Sequence, residues 1–194
     1  MYTKATLTSR VVVGVYVDDL MITGARPADM DAFKEQMSRL FRMSDLGLLS
    51  FYLRLEVKQG EDAIKLGQAA YARKLVDKAG MGACNPYHAL MEVRLKLSAK
   101  SSTPEVDATM YRSLVGSLCY LVHTRPNITC AVGYVSRFME KPHQEHLVTV
   151  KHILRYIASI VDYDIIYSKC CDIDNKVMGY SLIGYSDNDL GGHR

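Results

Sequence analysis

Two adjacent aspartates, Asp18 and Asp19, interrupt an otherwise apolar stretch, and no other feature limits so tightly what this chain can fold into. Residues 10–16 are β-branched and apolar, residues 20–23 form a second short apolar run, and Gly24 closes it. Side chains of this kind suit a pleated, half-buried surface, so the two runs predict a hairpin. The paired acids then sit near its turn, at the tip of a buried ribbon.

The next segments alternate between two periods. After Pro27, a residue suited to a first helical turn, Met30, Phe33, Met37, Leu40 and Phe41 recur at spacings of three and four. They define one apolar face of a helix that packs on the hairpin. Residues 51–57 alternate partly, with Phe51, Leu53, Leu55 and Val57 against Tyr52, Arg54 and Glu56. The polar stretch 59–62 separates them from a short run at 64–66, which predicts a second hairpin. Beyond Gln68 the period lengthens to about 3.6, with Tyr71, Leu75, Val76 and Ala79 on one side before Gly80 and Gly82.

Residues 83–106 hold Pro86, Pro104 and a Ser, Lys and Ala cluster, and read as a long irregular connection and the best domain boundary. Three helices follow: 108–122 capped by Asp107, 127–139 opened by Pro126, and 143–160 opened by Pro142. Their apolar sets call for a shared core. Strand chemistry returns at 163–167 and 178–185. The fold class expected is α+β.

Composition excludes several classes of function. At 48% hydrophobic and 23% charged over 194 residues, the chain is neither a disordered tail nor a fibre. The apolar run at 11–17 is far shorter than the roughly 20 residues of a membrane span, so no span is expected. A net charge of +3 is too slight to identify a polyanion partner and leaves nucleic acid open. The five cysteines, Cys84, Cys119, Cys130, Cys170 and Cys171, form an odd set without CxxC spacing, which suits reduced thiols inside a cell, in cytoplasm or nucleus. Lys4, Arg10 and the lack of acids before Asp18 are compatible with a mitochondrial transit peptide, but an ordinary start leading into a buried strand is the preferred reading.

Side-by-side carboxylates on a turn offer hard oxygen ligands of the kind magnesium takes. Two-metal phosphoryl transfer holds cations roughly 3.5–4 Å apart and needs carboxylates from more than one segment, so one pair is half a site. His143, His146 and His152 lie on or beside one helix, and an i, i+3 pair can ligate zinc, yet no cysteine or acid stands at a supporting spacing; they are expected to be surface histidines. Lys141, Lys151, His152 and Arg155 are candidates for a basic stripe that meets a phosphate backbone, or for an ordinary solvated helix face. Ser113 and Ser117 have no His and Asp partners for nucleophilic chemistry.

A longer series of strings adds to this reading: VYVDDLMITG (15–24), MSDLG (43–47), FYLRLEV (51–57), AGM and CNP (79–86), LKLS (95–98), YRSLVGSLCYL (111–121), Thr-Arg-Pro (124–126), VSRFM (135–139), KHILRY (151–156) and GYSDND (184–189). In this order they resemble the reverse transcriptase of copia-type LTR retrotransposons over nearly the whole chain. The resemblance implies a palm active site at Asp18 and Asp19 with bound magnesium, and a strand at 51–57 near the primer. It further implies a helical thumb and connection after Gln68, and the start of an RNase H from about Met178 with Asp187 as its first acidic residue.

On that basis the expected organisation is a partial palm over 1–66, a thumb and connection-like region over 67–165, and a truncated RNase H-like start with a terminal hairpin over 166–194. Fourteen residues precede Val15 and seven follow Asp187. The family's fingers, its upstream palm aspartate and the remaining RNase H acids are thus expected to lie outside this sequence. Arg54 stands where the family usually has Gly, and Ala89 and Val93 where it has Pro. The expectation is a fragment without polymerase or nuclease activity of its own and with no required cofactor. It would be exapted by its host for interaction with a host protein or with itself, including a selfish or toxic role. The alternatives are a polymerase subunit completed by another chain and a non-catalytic nucleic-acid-binding remnant.

Overall fold

The computed structural model describes residues 2–6, 9–92 and 94–168. Over these the chain is α+β and divides into two compact units between Tyr52 and Leu53. The stretch 83–106 lies within the second unit.

The first unit is an antiparallel meander of β1 (Tyr2–Thr6), β2 (Ser9–Tyr16) and β3 (Asp19–Gly24), with helix α1 (Pro27–Leu40) packed on β2 and β3. The β2–β3 hairpin is the one its apolar runs require, with Val11 facing Gly24, Val13 facing Ile22 and Tyr16 facing Asp19. Strand β1, which the hydrophobic pattern does not announce, pairs Tyr2 with Val13 and Thr6 with Ser9. Val11 and Val13 are buried, whereas every residue of α1 keeps some exposure. Pro27 sits in the first turn of α1, and Asp29 is held there by the Arg26 guanidinium at 2.7 Å, an acid at the helix's positive end. Strand β4 (Phe51–Tyr52) ends this unit.

The second unit contains the sheet β5 (Leu55–Gln59), β6 (Ala63–Gly67) and β7 (Ile165–Ser168), joined in that order by antiparallel pairing, and the helices α2 (Ala69–Lys78), α3 (Ala108–Leu121), α4 (Thr129–Ser136) and α5 (Gln144–Ser159). A 3₁₀ turn, Pro126–Ile128, leads into α4. The continuous strand expected at 51–57 is corrected: Leu53 and Arg54, at φ 48° and 62°, form a two-residue turn leading into β5. Neither side chain advertises the left-handed region, which costs a non-glycine residue about 1–2 kcal/mol.

The helices share one core in which Tyr111, Val115, Leu118, Leu121, Ile153 and Ile157 have no exposed surface. Asp107 caps α3 by accepting the Thr109 N–H at 2.8 Å, and Glu56 accepts the Ala70 N–H at 2.9 Å at the start of α2. Arg125 is buried among these elements. Its Nη2 donates to the Val161 carbonyl at 2.7 Å and its Nη1 to Thr124 Oγ1 at 3.0 Å, while Thr124 donates to Gln68 Oε1 at 2.7 Å. This guanidinium fastens the chain leaving α5 to the turns before α2 and α4, and burial lowers its pKa. The strand at 178–185, the terminal hairpin and Asp187 lie outside the described residues.

Candidate functional site

The paired aspartates come to the surface because the β2–β3 register closes on Tyr16 and Asp19 and leaves Val17 and Asp18 as the turn. Asp19 opens β3 on the same face as Met21 and Thr23, which is its exposed face, and Asp18 is exposed at the tip. Val17 adopts φ 50° and is 80% exposed. A β-branched residue in the left-handed region is strained by roughly 1–3 kcal/mol, and such strain persists where the flanking strands impose the turn. Gly14 lies opposite Met21 on that same face, where a Cβ would stand 3.2 Å from Met21 Cε.

Asp18 and Asp19 fit part of a magnesium site: adjacent, solvent-facing carboxylates of hard oxygen. Among the described residues no three His, Cys, Asp or Glu side chains gather at one place. Two-metal chemistry requires carboxylates from further segments, so this pair is half of the donor set.

The basic candidates differ in their surroundings. Lys141 is ion-paired with Glu105 at 2.8 Å, which raises the lysine pKa and lowers that of the glutamate. Arg155 donates from Nε to the Asn85 carbonyl at 3.0 Å and lies over the Tyr87 ring at 5.3 Å. Lys151 is exposed on α5. Basic and aromatic groups meet elsewhere in the second unit: Arg54 lies 5.5 Å over Tyr71, Tyr71 meets Tyr120 edge-on at 5.3 Å, and Tyr120 meets His123 at 5.7 Å.

The expectation of surface histidines is corrected for His143 and His146, which are buried, and His152 is half-buried with its ring 4.6 Å from Tyr87. His143 Nδ1 and His146 Nε2 meet carbonyls 40 and 48 residues away in the chain, which helical spacing does not register. Cys84, Cys119 and Cys130 are free thiols. Ser117 Oγ donates to the Ser113 carbonyl, and Ser113 Oγ accepts from Lys78 Nζ at 2.9 Å, so both hydroxyls serve local structure. No helix among the described residues is long and apolar enough to cross a membrane.

Comparison with known proteins places this hairpin in context. Residues 1–93 match the family model described as reverse transcriptase (RNA-dependent DNA polymerase). The retrovirus-related Pol polyprotein from transposon RE1 of Arabidopsis thaliana is 37% identical over 93% of this chain, which spans 12% of that protein. An uncharacterized mitochondrial protein of Arabidopsis thaliana is 33% identical over 76% of the chain and 61% of its own length. A secreted RxLR effector protein of Plasmopara viticola is 36% identical over 42% of the chain and 54% of its own length. No solved structure matches the chain. With the YVDD turn in place and similarity to a transposon polyprotein running over nearly its whole length, the chain carries a copia-type retrotransposon reverse-transcriptase region.

Proposed function

We propose that this chain works by associating with another polypeptide, not as a polymerase on its own. The observation that carries the reading is the apolar surface of the first unit. Leu40, Phe41, Met43, Leu46, Leu48 and Phe51 are all exposed, Leu46 and Leu48 by 89% and 82%. A concentration of large apolar side chains in one short segment marks an interaction site or an aggregation liability. In this reading the β2–β3 hairpin and α1 are palm elements, α2 to α5 are thumb and connection, and the residues from about Met178 begin an RNase H. Asp18 and Asp19, and Asp187 with them, are vestiges. The partner is a host protein or a second copy, and the free thiols support an intracellular setting. Two relatives named for something other than a polyprotein, one mitochondrial and one a secreted effector, support the idea that pieces of this family serve as proteins in their own right.

A second reading is favoured by the hairpin itself. The strained Val17 turn keeps both carboxylates solvent-facing, as a polymerase subunit completed by another chain would need. Magnesium would then be shared with that chain's carboxylates. Affinity capture of the tagged chain and of its Asp18→Asn, Asp19→Asn double variant separates the two. A specific protein retained by both forms is expected. Recovery of retroelement polyprotein and nucleic acid alone, lost in the variant, would establish the polymerase subunit instead.

A further inference from the structure

Where the 94–106 segment meets the start of α5, two histidines tie distant parts of the chain together. His146 is fully buried; its Nδ1 accepts the His143 backbone N–H at 2.9 Å, and its Nε2 lies 3.1 Å from the Ser98 carbonyl oxygen. A carbonyl only accepts and a backbone N–H only donates, so the ring is a neutral imidazole with its proton on Nε2. Phe138 stacks on it at 4.0 Å and 12°. His143 Nδ1 lies 2.7 Å from the Thr103 carbonyl and donates to it. Two further backbone bonds complete the seam, Gln144 N–H to the Pro104 carbonyl at 2.9 Å and Val106 N–H to the Pro142 carbonyl at 3.0 Å.

We propose that this seam is an acid-sensitive latch, in which protonation of His146 at Nδ1 releases residues 98–105 from the start of α5 while the helical core stays folded. The added proton turns the acceptor of the His143 N–H into a second donor, so the two groups oppose each other and the cap bond of α5 is lost. A cation in the slot against Phe138 must also give up its hydration, and leaving the slot breaks the bond to Ser98. His143 behaves differently: its Nδ1 donates to Thr103 in either charge state.

The groups that face His146 set the balance. From α5, Glu145 lies 3.6 Å from Nε2 and favours the cation. From the helix cap, His143 disfavours it when charged. Lys141, before α5, and Glu105, on the released segment, neutralise each other at 2.8 Å. Arg137, beside Phe138, is engaged over the Tyr134 ring. Burial is the largest influence, and it holds the His146 pKa below the usual histidine value although the Ser98 carbonyl and Glu145 both favour the cation. The core of α3 and α5, with Leu118 and Ile153 buried, contains no part of the latch.

Nuclear magnetic resonance of the whole chain from about pH 8 to about pH 5, the window in which histidine changes charge, reads the latch directly. The amides of residues 98–105 and His143 should shift with the midpoint of the His146 ring. As pH falls toward that midpoint, exchange of the Gln144 and Val106 amides, whose bonds cross the seam, corrected for intrinsic rate, should rise by about tenfold per pH unit and level off below it, with Leu118 and Ile153 unchanged. The His146→Gln variant should abolish the response. Should that variant fail to fold, Glu145→Gln decides, because removing the carboxylate must move the common midpoint to lower pH. Gln144 and Val106 amides that keep their protection while the His146 ring protonates, a response that persists in His146→Gln, or a midpoint unmoved by Glu145→Gln would each overturn the latch.

Discussion

Arg54 offers the sharpest quantitative test of the second unit's structure, because two opposing effects meet at one residue. At φ 62° its backbone is in the left-handed region, while its guanidinium lies 5.5 Å over the Tyr71 ring. The conformation costs a non-glycine residue about 1–2 kcal/mol, and an exposed cation–π contact returns about 0.5–1 kcal/mol. Arg54→Ala keeps the strain and loses the contact, so it should destabilise by about 0.5–1 kcal/mol. Arg54→Gly loses the same contact and removes the strain, but adds roughly 0.5–1 kcal/mol of unfolded-chain freedom. It should therefore fall within a few tenths of a kcal/mol of the parent and be more stable than the alanine variant by roughly 0.5–1 kcal/mol, the reverse of the usual order of Gly and Ala. Repeating both changes on a Tyr71→Leu background isolates the contact, and there Arg54→Gly should become stabilising. Urea unfolding followed by far-ultraviolet circular dichroism gives each difference from the midpoint and slope. An alanine variant as stable as the glycine variant would refute the positive φ, and identical effects on both backgrounds would refute the contact with Tyr71.

Other perturbations have equally definite directions. Asp107→Ala removes the acceptor of the Thr109 N–H and should cost about 1 kcal/mol in urea unfolding, with Asp107→Asn retaining most of the stability. Gly67→Ala sets a methyl group against the Asp164 carboxylate and should cost about 1–3 kcal/mol, whereas Gly133→Ala on α4, with open space for its methyl, should stabilise by about 0.5–1 kcal/mol; thermal melts of the pair show opposite shifts. Acid should lower stability through His146. Its folded pKa lies below the ordinary value of about 6.5, so the unfolded chain binds more protons between the two, and stability falls as pH drops through 6.5 toward the folded value. Urea midpoints measured against pH should show that slope in the parent and lack it in His146→Gln.

Much of the architecture is legible because its signals are local. The β-branched runs flanking Asp18 and Asp19 fix the β2–β3 hairpin, and Asp107, Pro126 and Pro142 mark where the last three helices begin. The turn at Leu53 and Arg54 is not legible, since the alternation through 51–57 continues across it and no Gly or Asn announces positive φ. Strand β1 escapes notice because its pairing with β2 is a backbone matter. The burial of His143 and His146 depends on carbonyls at Thr103 and Ser98, far away in sequence, and polarity alone assigns such residues to the surface. Arg125 belongs to a recognisable string, yet its burial follows from the carbonyl of Val161 and the hydroxyl of Thr124. For the site, the aspartate pair and its turn were readable from local order; a third carboxylate is a question of tertiary structure that local order does not answer.

On the proposed reading, the YVDD hairpin in this chain does not polymerise without another polypeptide. Primer extension on an RNA template with the purified chain alone, magnesium and the four deoxynucleoside triphosphates tests it most directly. No incorporation above that of the Asp18→Asn, Asp19→Asn variant is expected. Magnesium-dependent extension by the parent, abolished in the variant, would contradict it.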